Sequence, residues 1–492
     1  MDSINYYNKK ITDPEILKFI SNKPKLPESP KKVHVIGVCG TGMGQLAGLL
    51  KDKGFEVSGS DQQCYPPVST MVESLGINLH IGNFQKENIN NTDLVVVGNV
   101  VRSHNPEATY ARQKNIPQVS FPETLTKYIF QNSRRLVVAG THGKTTTTGL
   151  LAHIFEVAGK DPGYMIGGVP QGKDTGYKLG SGKYAIFEGD EYDTSYFDKG
   201  PKFLHYGASS AIITSLELDH MDIYDSFDSY KQAFIFFVED LPEDGHLFLS
   251  DTYGLFRDFT KYTKAKVHFY GAEKESDVYY ENLRQEGEFQ VFDFIFKGEM
   301  LGTIKTQLSG EHNLFGILGA ASLAYAEGIA FADIKKAVAT FKGMKRRQEI
   351  IAEVNGVTVI DDFAHHPTAV NVTVAGIKTK YPNKRLIAIF EPSTRSSRKK
   401  IFEEEYIKAF DSADFVCIQM PKLGNGEIAE ECINLDYITS EISKRGPQVQ
   451  SYNKTEELLN DIVPNIKKGD VVLVMSHGEF DKIREKLIKR LS

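Results

Sequence analysis

The sequence RLVVAGTHGKTTTT, residues 135–148, is the most informative segment of the chain. Its first five residues have the apolar, β-branched character of a buried strand, and the residues after it have helical spacing. In the Gly-Lys-Thr core, backbone N–H groups can hold phosphate oxygens, Lys144 can add a positive charge and Thr145 can bind Mg²⁺. Val138 stands where the common form of this loop has its first glycine. The segment therefore predicts a short phosphate-binding loop between a strand and a helix.

Acidic residues follow two later apolar runs of the sequence. Residues 188–193 read EGDEYD, and residues 217–222 read ELDHMD. Because ligands of open α/β sheets lie at the carboxyl ends of strands, we expect these acids near the phosphate-binding loop. Carboxylates and phosphates supply the oxygen ligands that Mg²⁺ prefers. The two motifs therefore predict a magnesium site, the alternative being that they are solvated loop acids.

A second glycine cluster, GVCGTGMG at residues 37–44, lies nearer the N-terminus. It follows a strand-like segment at residues 33–36 and opens a helix, so its backbone can approach a pyrophosphate at a helix N-terminus. Asp61, about 20 residues further on, stands where an acid that binds a ribose or a base is expected. The cluster predicts a nucleotide diphosphate site, the alternative being a tight turn without a ligand. Its glycine spacing does not specify a nicotinamide dinucleotide.

Strand-like segments alternate with helical ones along the chain, which predicts βαβ units and an α/β fold with parallel sheets. A chain of 492 residues corresponds to about three domains. We expect an N-terminal extension at residues 1–30, a Rossmann-like domain at 31–132, a central P-loop ATPase-type domain at 133–342 and a Rossmann-like C-terminal domain at 343–492. Three prolines within residues 24–30 indicate that the extension is a tether.

The composition excludes several classes of protein. Apolar residues make up 41% and charged residues 25% of the chain, which is ordinary globular usage, and a net charge of −6 argues against a nucleic-acid binder. The N-terminus lacks an apolar signal core, and no run of about 18 apolar residues predicts a membrane span. The four cysteines include no CxxC pair, so we expect reduced thiols. The chain is thus expected to be cytoplasmic, without nucleic-acid or membrane partners.

The motifs taken together resemble those of the muramyl (Mur) ligases, which are ATP-dependent amide-forming enzymes of peptidoglycan synthesis and cell-wall biogenesis. They are the two glycine clusters, the two acidic motifs, GEHN at residues 310–313, RRQE at 346–349 and DDFAHHP at 361–367. The resemblance spans about residues 32–492. It implies ATP as a co-substrate, Mg²⁺ as a cofactor, and a monomer or weak homodimer.

The resemblance also implies roles for individual residues. The residues it implies for ATP are Gly140, Thr141, His142, Gly143, Lys144, Thr145 and Thr146, with Asn313 at the adenine, Arg347 near the phosphates and Asp362 at the ribose. The Mg²⁺ ligands it implies are Thr145, Glu188 and His220. The residues it implies for the UDP part of a sugar nucleotide are Gly40, Thr41, Gly42, Met43, Gly44 and Asp61. Catalysis would depend on Lys144, Glu188, His220 and Arg347.

Within the family, the chain looks most like the branch that joins UDP-N-acetylmuramate to the recycled murein tripeptide L-alanyl-γ-D-glutamyl-meso-diaminopimelate. Residues 64–70, 166–170, 191–199 and 361–369 carry this closer likeness. The alternative is the sister branch, which adds L-alanine to the same sugar nucleotide in de novo peptidoglycan synthesis. Both branches imply an acyl phosphate, made with ATP, that the acceptor amine attacks.

Several residues remain candidates for the acceptor's binding and chemistry. Asp193 is a candidate substrate-binding residue, and Asp193 and His366 are candidates for accepting the amine's proton. Arg395 and Arg398, in the loop EPSTRSSR at residues 391–398, can pair with peptide carboxylates bidentately. The alternative for this loop is a solvated basic segment.

The sequence leaves two other function classes open at this point. A nicotinamide oxidoreductase is suggested by the first glycine cluster alone, but it leaves residues 140–148 and 186–222 unexplained. A non-catalytic nucleotide-binding regulator accounts for both glycine clusters without a reaction.

Two positions depart from patterns of the family. Other branches carry a carbamylated lysine fourteen residues after the histidine of the second acidic motif, and Phe234 stands there in this chain, which agrees with the branch of the L-alanine and tripeptide ligases. The family often has a second asparagine three positions after the residue that contacts adenine, and Gly316 stands there in this chain. The glycine has no side chain to make the second adenine contact that the family pattern implies.

Overall fold

The structure is a computed structural model that describes residues 3–65, 68–217, 223–251, 254, 256–420 and 428–492. It contains three main β-sheets, each built from a separate part of the chain and flanked by helices. We call these parts the first unit (residues 32–129), the central unit (134–340) and the third unit (346–491). The predicted α/β fold class is confirmed.

The N-terminal segment, residues 3–30, contains two helices. They are α1 (Ser3–Asn8) and α2 (Pro14–Ser21). Tyr7 of α1 is buried, and Ile16 and Phe19 form the buried face of α2. Helix α2 begins at a capping aspartate, which satisfies a free backbone N–H of its first turn.

This segment is not the tether that its prolines indicated. The Phe19 ring lies 5.8 Å from the ring of Phe197 in the central unit. The Tyr128 hydroxyl of the first unit donates to the carbonyl of Pro27 at 2.9 Å. The prolines end the helical part, but the apolar residues before them pack onto both units.

The first unit has a five-stranded parallel sheet in the order β3-β2-β1-β4-β5. Its strands are β1 (Lys32–Ile36), β2 (Glu56–Asp61), β3 (Asn78–Ile81), β4 (Leu94–Val97) and β5 (Gln118–Ser120). Its helices are α3 (Thr41–Asp52), α4 (Val68–Ser74), α5 (Pro106–Gln113) and α6 (Phe121–Thr124). Strand β4 is an unbroken apolar run because both of its faces are covered. The first glycine cluster lies at the carboxyl end of β1, beside the end of β2.

The central unit has a ten-stranded sheet in the order β17-β16-β15-β14-β13-β12-β6-β9-β7-β8, and a separate hairpin of β10 and β11. The strands are β6 (Arg134–Ala139), β7 (Gly163–Met165), β8 (Tyr177–Lys178), β9 (Tyr184–Glu188), β10 (Asp193–Ser195), β11 (Asp198–Pro201), β12 (Ser210–Ile213), β13 (His246–Ser250), β14 (Lys266–Tyr270), β15 (Val278–Glu286), β16 (Phe289–Phe296) and β17 (Glu299–Thr306). The helices are α7 (Lys144–Val157), α8 (Phe227–Glu239), α9 (Glu311–Ala326) and α10 (Phe331–Thr340).

This central sheet is parallel only in its middle. Strands β15, β16 and β17 form an antiparallel meander at one edge, and β8 is antiparallel to β7 at the other. The turn between β16 and β17 consists of Lys297 and Gly298, both with positive φ. Two residues with positive φ make a tight hairpin, which can only connect antiparallel strands. The prediction of a parallel sheet is therefore corrected at both edges.

The third unit has a six-stranded sheet in the order β18-β19-β23-β20-β21-β22, in which only β18 is antiparallel to its neighbour. The strands are β18 (Glu349–Val354), β19 (Val357–Asp362), β20 (Leu386–Phe390), β21 (Phe415–Gln419), β22 (Gln448–Tyr452) and β23 (Val471–Met475). The helices are α11 (Pro367–Lys380), α12 (Glu403–Ala409), α13 (Leu435–Arg445), α14 (Thr455–Ile462) and α15 (Ile483–Leu491).

Two cysteines differ from the expected state. Cys39 and Cys64 are joined by a disulfide bond, so the expectation of reduced thiols is wrong for this pair. Cys417 and Cys432 form no disulfide. In the described ranges, none of the helices combines the length and the apolar character needed to cross a membrane.

Candidate active site

Two cavities lie between the units. One of about 550 Å³ is enclosed by the central and third units. The other, of about 700 Å³, is lined by residues of all three units. His142, Gly143, Thr145 and Arg347 belong to the walls of both cavities. The phosphate-binding loop therefore lies at the boundary between them.

The loop connects β6 to α7 and packs against the end of β12. A Cβ atom at Gly140 would lie 2.4 Å from the Thr214 hydroxyl, and φ at this residue is +125°. Only glycine can therefore occupy this position. Gly143 directly precedes α7, so the free N–H groups of the helix N-terminus face the cavities.

Lys144 is held by three acceptors. Its Nζ donates to the carbonyls of Gly140 at 2.5 Å and Thr141 at 3.2 Å, and to Glu191 Oε1 at 2.8 Å. Burial lowers the pKa of Lys144, but the attraction of Glu191 and its hydrogen bond raise it by more, so the pKa lies above its ordinary value. The lysine is therefore positively charged and fixed against the loop.

Glu191 is itself fixed by two tyrosines, Tyr224 just before α8 and Tyr230 in its first turn. The Tyr230 hydroxyl donates to Glu191 Oε1 at 3.0 Å and lies 3.0 Å from Thr141 Oγ1. The Tyr224 hydroxyl donates to the carbonyl of Glu191 at 2.7 Å. Sequence reasoning missed Glu191 because it is one of four acids in residues 188–193, and no motif pointed to Tyr230.

Two of the three predicted magnesium ligands lie together. The Thr145 hydroxyl donates to Glu188 Oε1 at 2.7 Å, and Glu188 Oε2 accepts from the Gly167 N–H at 2.7 Å. A hydroxyl and a carboxylate beside a phosphate-binding loop fit Mg²⁺, which takes few protein ligands and shares phosphate oxygens. The third predicted ligand, His220, lies outside the described residues.

A second polar group connects the central and third units. His142 Nε2 lies 3.2 Å from Glu217 Oε2, and the Thr368 hydroxyl donates to the same oxygen at 3.0 Å. The rings of His142 and His366 are 5.0 Å apart. Among the described residues, the donor atoms of His142, Glu217 and His366 are close enough to share a metal ion, and two imidazoles suit a transition metal better than Mg²⁺.

Asn313 lies in the smaller cavity, near the start of α9. Its Nδ2 donates to the carbonyl of Ser309 at 2.7 Å, which fixes the amide orientation. Gly316 lies one turn further along the helix, and a Cβ there would be 2.8 Å from Thr147 Oγ1. Helices α7 and α9 therefore pack too closely for the second asparagine that the family pattern suggested.

Arg347 and Asp362 form the third unit's side of the same cavity. The Arg347 guanidinium lies 4.6 Å from the centre of the Phe363 ring. Asp362 accepts from the N–H groups of Gln348 at 2.8 Å and Ala364 at 2.7 Å. Burial raises the pKa of Asp362, and the charge of Arg347 lowers it by less.

The first glycine cluster contributes to the larger cavity. Gly40, Thr41, Gly42, Met43 and Asp61 line it. Gly44 does not line it, although it was predicted with the others: a Cβ there would lie 2.7 Å from Val68 Cγ1, so this glycine lets α4 approach α3. Its role in the structure is packing.

Three predicted acceptor residues do not line either cavity. Asp193 forms an ion pair with Lys199 at 2.6 Å within the hairpin of β10 and β11. Arg395 is exposed, and Arg398 is buried and donates to the carbonyl of Ser393 at 2.9 Å. The residues of these segments that do line the larger cavity are Asp190, Glu191, Tyr192, Lys202, Thr394 and Ser396.

Comparison with known proteins gives consistent matches along the chain. Residues 32–131 match the model "Mur ligase family, catalytic domain", residues 138–324 "Mur ligase middle domain" and residues 346–478 "Mur ligase, glutamate ligase domain". The N-terminal segment lies outside these matches.

Similar proteins include UDP-N-acetylmuramate–L-alanyl-γ-D-glutamyl-meso-2,6-diaminoheptandioate ligase of Escherichia coli, which is 34% identical over 94% of this chain and 98% of its own. UDP-N-acetylmuramate–L-alanine ligase of Geotalea daltonii is 31% identical over 94% of this chain and 98% of its own. Among solved structures, a murein peptide ligase of Psychrobacter arcticus has a TM-score of 0.68 at 31% identity and covers 94% of this chain and 98% of that one.

Proposed function

Because this chain belongs to the Mur ligase family, we propose that it joins the carboxylate of UDP-N-acetylmuramate to the amine of L-alanyl-γ-D-glutamyl-meso-diaminopimelate in peptidoglycan recycling. It is an ATP-dependent ligase that forms an amide bond. The observation that carries the proposal is the shared wall of the two cavities, since it brings the phosphate-binding loop to the boundary of both. A cytoplasmic location and a monomeric or weakly dimeric state are part of the proposal.

The reaction needs ATP because a carboxylate is a poor electrophile. The carboxylate oxygen attacks the γ-phosphorus of ATP and ADP leaves, which produces an acyl phosphate. The amine then attacks the carbonyl carbon, and the bond to phosphate breaks to release inorganic phosphate. Phosphoryl transfer of this kind depends mainly on positioning and charge neutralisation. Arg347, which lines both cavities, and Lys144, which lines the larger one, supply positive charge there.

The proposal gives each region of the protein one ligand. ATP occupies the smaller cavity, with adenine near Asn313 and its phosphates at the loop. The UDP part of the sugar nucleotide lies along Gly40 to Met43 in the larger cavity, and the tripeptide enters beside Thr394 and Ser396 of the third unit. Mg²⁺ held by Thr145 and Glu188 would neutralise phosphate charge.

His366 is the better of the two candidate proton acceptors. It lines the larger cavity beside the phosphate-binding loop, whereas Asp193 is paired with Lys199 away from it. An amine must be neutral to attack, and a histidine accepts a proton near neutral pH.

The sister activity, ligation of L-alanine, is the second candidate because the Geotalea relative is nearly as similar to this chain. A ligation assay with ATP, UDP-N-acetylmuramate and either the tripeptide or L-alanine separates the two. We expect product and phosphate release with the tripeptide at far higher kcat/KM. Ligation of L-alanine alone would overturn the acceptor assignment.

The same assay tests whether the chain is a catalyst at all. Lys144→Ala removes the loop's positive charge and should abolish ligation, with its Tm as the check on folding. Glu156→Gln, on a surface pair with Lys173 and Lys178, is the matched control. Activity of K144A equal to that of the wild type would contradict the assignment of the loop.

A further inference from the structure

The disulfide between Cys39 and Cys64 lies in the wall of the larger cavity. Cys39 belongs to the glycine turn after β1 and lines the cavity. Cys64 follows β2, immediately after Gln63, which lines the same cavity. The bond therefore connects the two loops that carry the proposed contacts to the UDP part of the sugar nucleotide.

The bond also limits the freedom of Asp61. The Cys39 N–H donates to Asp61 Oδ2 at 2.9 Å, and the Gln62 N–H donates to Asp61 Oδ1 at 2.8 Å. The glycine turn is thus attached to the end of β2 twice, by a hydrogen bond and by a covalent bond. Breaking the covalent bond leaves the hydrogen bond but frees the chain that follows Asp61.

The two bonded cysteines are accessible, in contrast to Cys417. Cys39 and Cys64 are both half-buried at the surface of the first unit, whereas Cys417 is buried in the third unit and burial raises the pKa of its thiol. Thiol–disulfide exchange needs access for the attacking thiolate. Exchange is therefore expected at the first pair and not at Cys417.

We propose that Cys39 and Cys64 form a reversible thiol–disulfide site that controls the affinity of the first unit for the UDP part of the sugar nucleotide. The proposal rests on the proposed function, because it concerns the substrate cavity assigned there. Disulfides in reducing compartments are usually transient and redox-sensing. The position of the Cys39–Cys64 bond in the wall of the substrate cavity agrees with such a role.

The co-reactant is a low-molecular-weight disulfide. One cysteine thiolate attacks a sulfur of that disulfide, which forms a mixed disulfide and releases one small thiol. The thiolate of the second cysteine attacks the mixed disulfide, which forms the Cys39–Cys64 bond and releases the second small thiol. Two electrons pass to the small disulfide, and the protons of the two cysteines end on the released thiols.

The bonded form should bind the sugar nucleotide more tightly. A loop already fixed near its bound conformation loses less conformational freedom on binding. We expect KM for UDP-N-acetylmuramate to be roughly 3- to 10-fold lower in the oxidised form. KM for ATP should not change, because the smaller cavity is lined by the central and third units.

The test uses the full-length protein equilibrated in mixtures of reduced and oxidised glutathione. Alkylation and mass spectrometry measure the fraction of the Cys39–Cys64 bond, and calorimetry and ligation assays measure UDP-N-acetylmuramate binding and both KM values. We expect the bond to form and break with the glutathione ratio, and KM for the sugar nucleotide to follow it. In Cys64→Ser, KM for UDP-N-acetylmuramate should stay at the higher value of the form without the disulfide, whatever the glutathione ratio. In Cys432→Ser, KM should respond to the glutathione ratio as in the wild type.

Three results would overturn the proposal: no bond at any glutathione ratio, equal affinity of the two forms, or a response that persists in C64S. Mass spectrometry measures the bond without any substrate, so it separates this proposal from the proposed function. A reversible bond in a protein that binds UDP-N-acetylmuramate in neither form would show that the assigned substrate is wrong. The proposed control of substrate binding would then be wrong as well.

Discussion

Glu191 makes the phosphate-binding loop depend on a residue outside the loop. Lys144 needs a charge partner because most of its side chain is buried, and Glu191, only 1% exposed, supplies it. Glu191→Gln keeps the shape but removes the charge. We expect kcat/KM for ATP to fall at least about 10-fold, which corresponds to about 1.4 kcal/mol.

Steady-state kinetics with ATP as the varied substrate tests this expectation. Tyr230→Phe is a milder variant, because it removes one hydrogen bond to Glu191 and the contact with Thr141 but keeps the charge of the carboxylate. The loss in Y230F should be smaller than in E191Q. A lower KM for ATP in E191Q would show instead that Glu191 competes with phosphate for the lysine.

His268 makes the central sheet sensitive to acid. Burial lowers its pKa from 6.5 to about 4, and its ring stacks on Phe248 at 4.7 Å. The folded state therefore resists protonation that the unfolded state accepts, so stability present above pH 6.5 is lost as the pH falls towards 4. The loss amounts to about 3 kcal/mol at most.

Thermal unfolding between pH 7 and pH 4.5 measures this effect. His268→Gln should flatten the decrease in Tm, and the exposed His104→Gln should not. An unchanged slope in H268Q would assign the acid sensitivity to other groups.

At the scale of elements, the contact of α7 with α9 explains why glycine stands at residue 316 in place of the second asparagine of the family pattern. Gly316→Asn restores the asparagine of the family pattern but places its Cβ against Thr147. Overpacking of this kind costs about 1–3 kcal/mol, so we expect a lower Tm and no gain in ATP affinity. Tighter ATP binding by G316N at an unchanged Tm would contradict the steric explanation.

Elements that a short stretch of sequence specifies were predictable, whereas features that depend on contacts between distant residues were not. The strand-like segments at residues 33–36 and 135–139 lie within β1 and β6, because each is an apolar run that leads into a glycine turn. The antiparallel strands at one edge of the central sheet were not predicted, because the relative direction of β16 and β17 depends on the turn at Lys297 and Gly298. Glu191 and Tyr230 lie 39 residues apart, and only the fold brings them together.

At the scale of the whole molecule, the N-terminal segment joins the first and central units. Phe19 is buried between them, and Phe19→Ala should lower the free energy of unfolding by about 3 kcal/mol and raise KM for UDP-N-acetylmuramate more than KM for ATP. Chemical unfolding and kinetics measure both effects. Leu17→Ala, on the exposed face of α2, should change neither, and equal KM values in F19A and wild type would confine the segment to a stabilising role.

The same whole-molecule view limits what sequence could predict about the site. The Gly-Lys-Thr core, Glu188 and Arg347 carry local chemistry, and the structure places all of them at the cavities. Arg395 and Arg398 had equally suitable chemistry but do not line the cavities, because a side chain's direction depends on its loop. The type of a residue predicted which chemical group it can bind, but only the fold determined whether its side chain lies in a cavity.

The segment that joins the first and central units has a kinetic consequence. If those two units move as one body, the motion that admits and releases ligands is left to the third unit, which contains Arg347 and the proposed entry for the tripeptide. Initial-rate patterns should then indicate an ordered sequence in which ATP and the sugar nucleotide add before the peptide. Opening of the third unit for product release would limit turnover, and increasing the solvent viscosity would slow kcat.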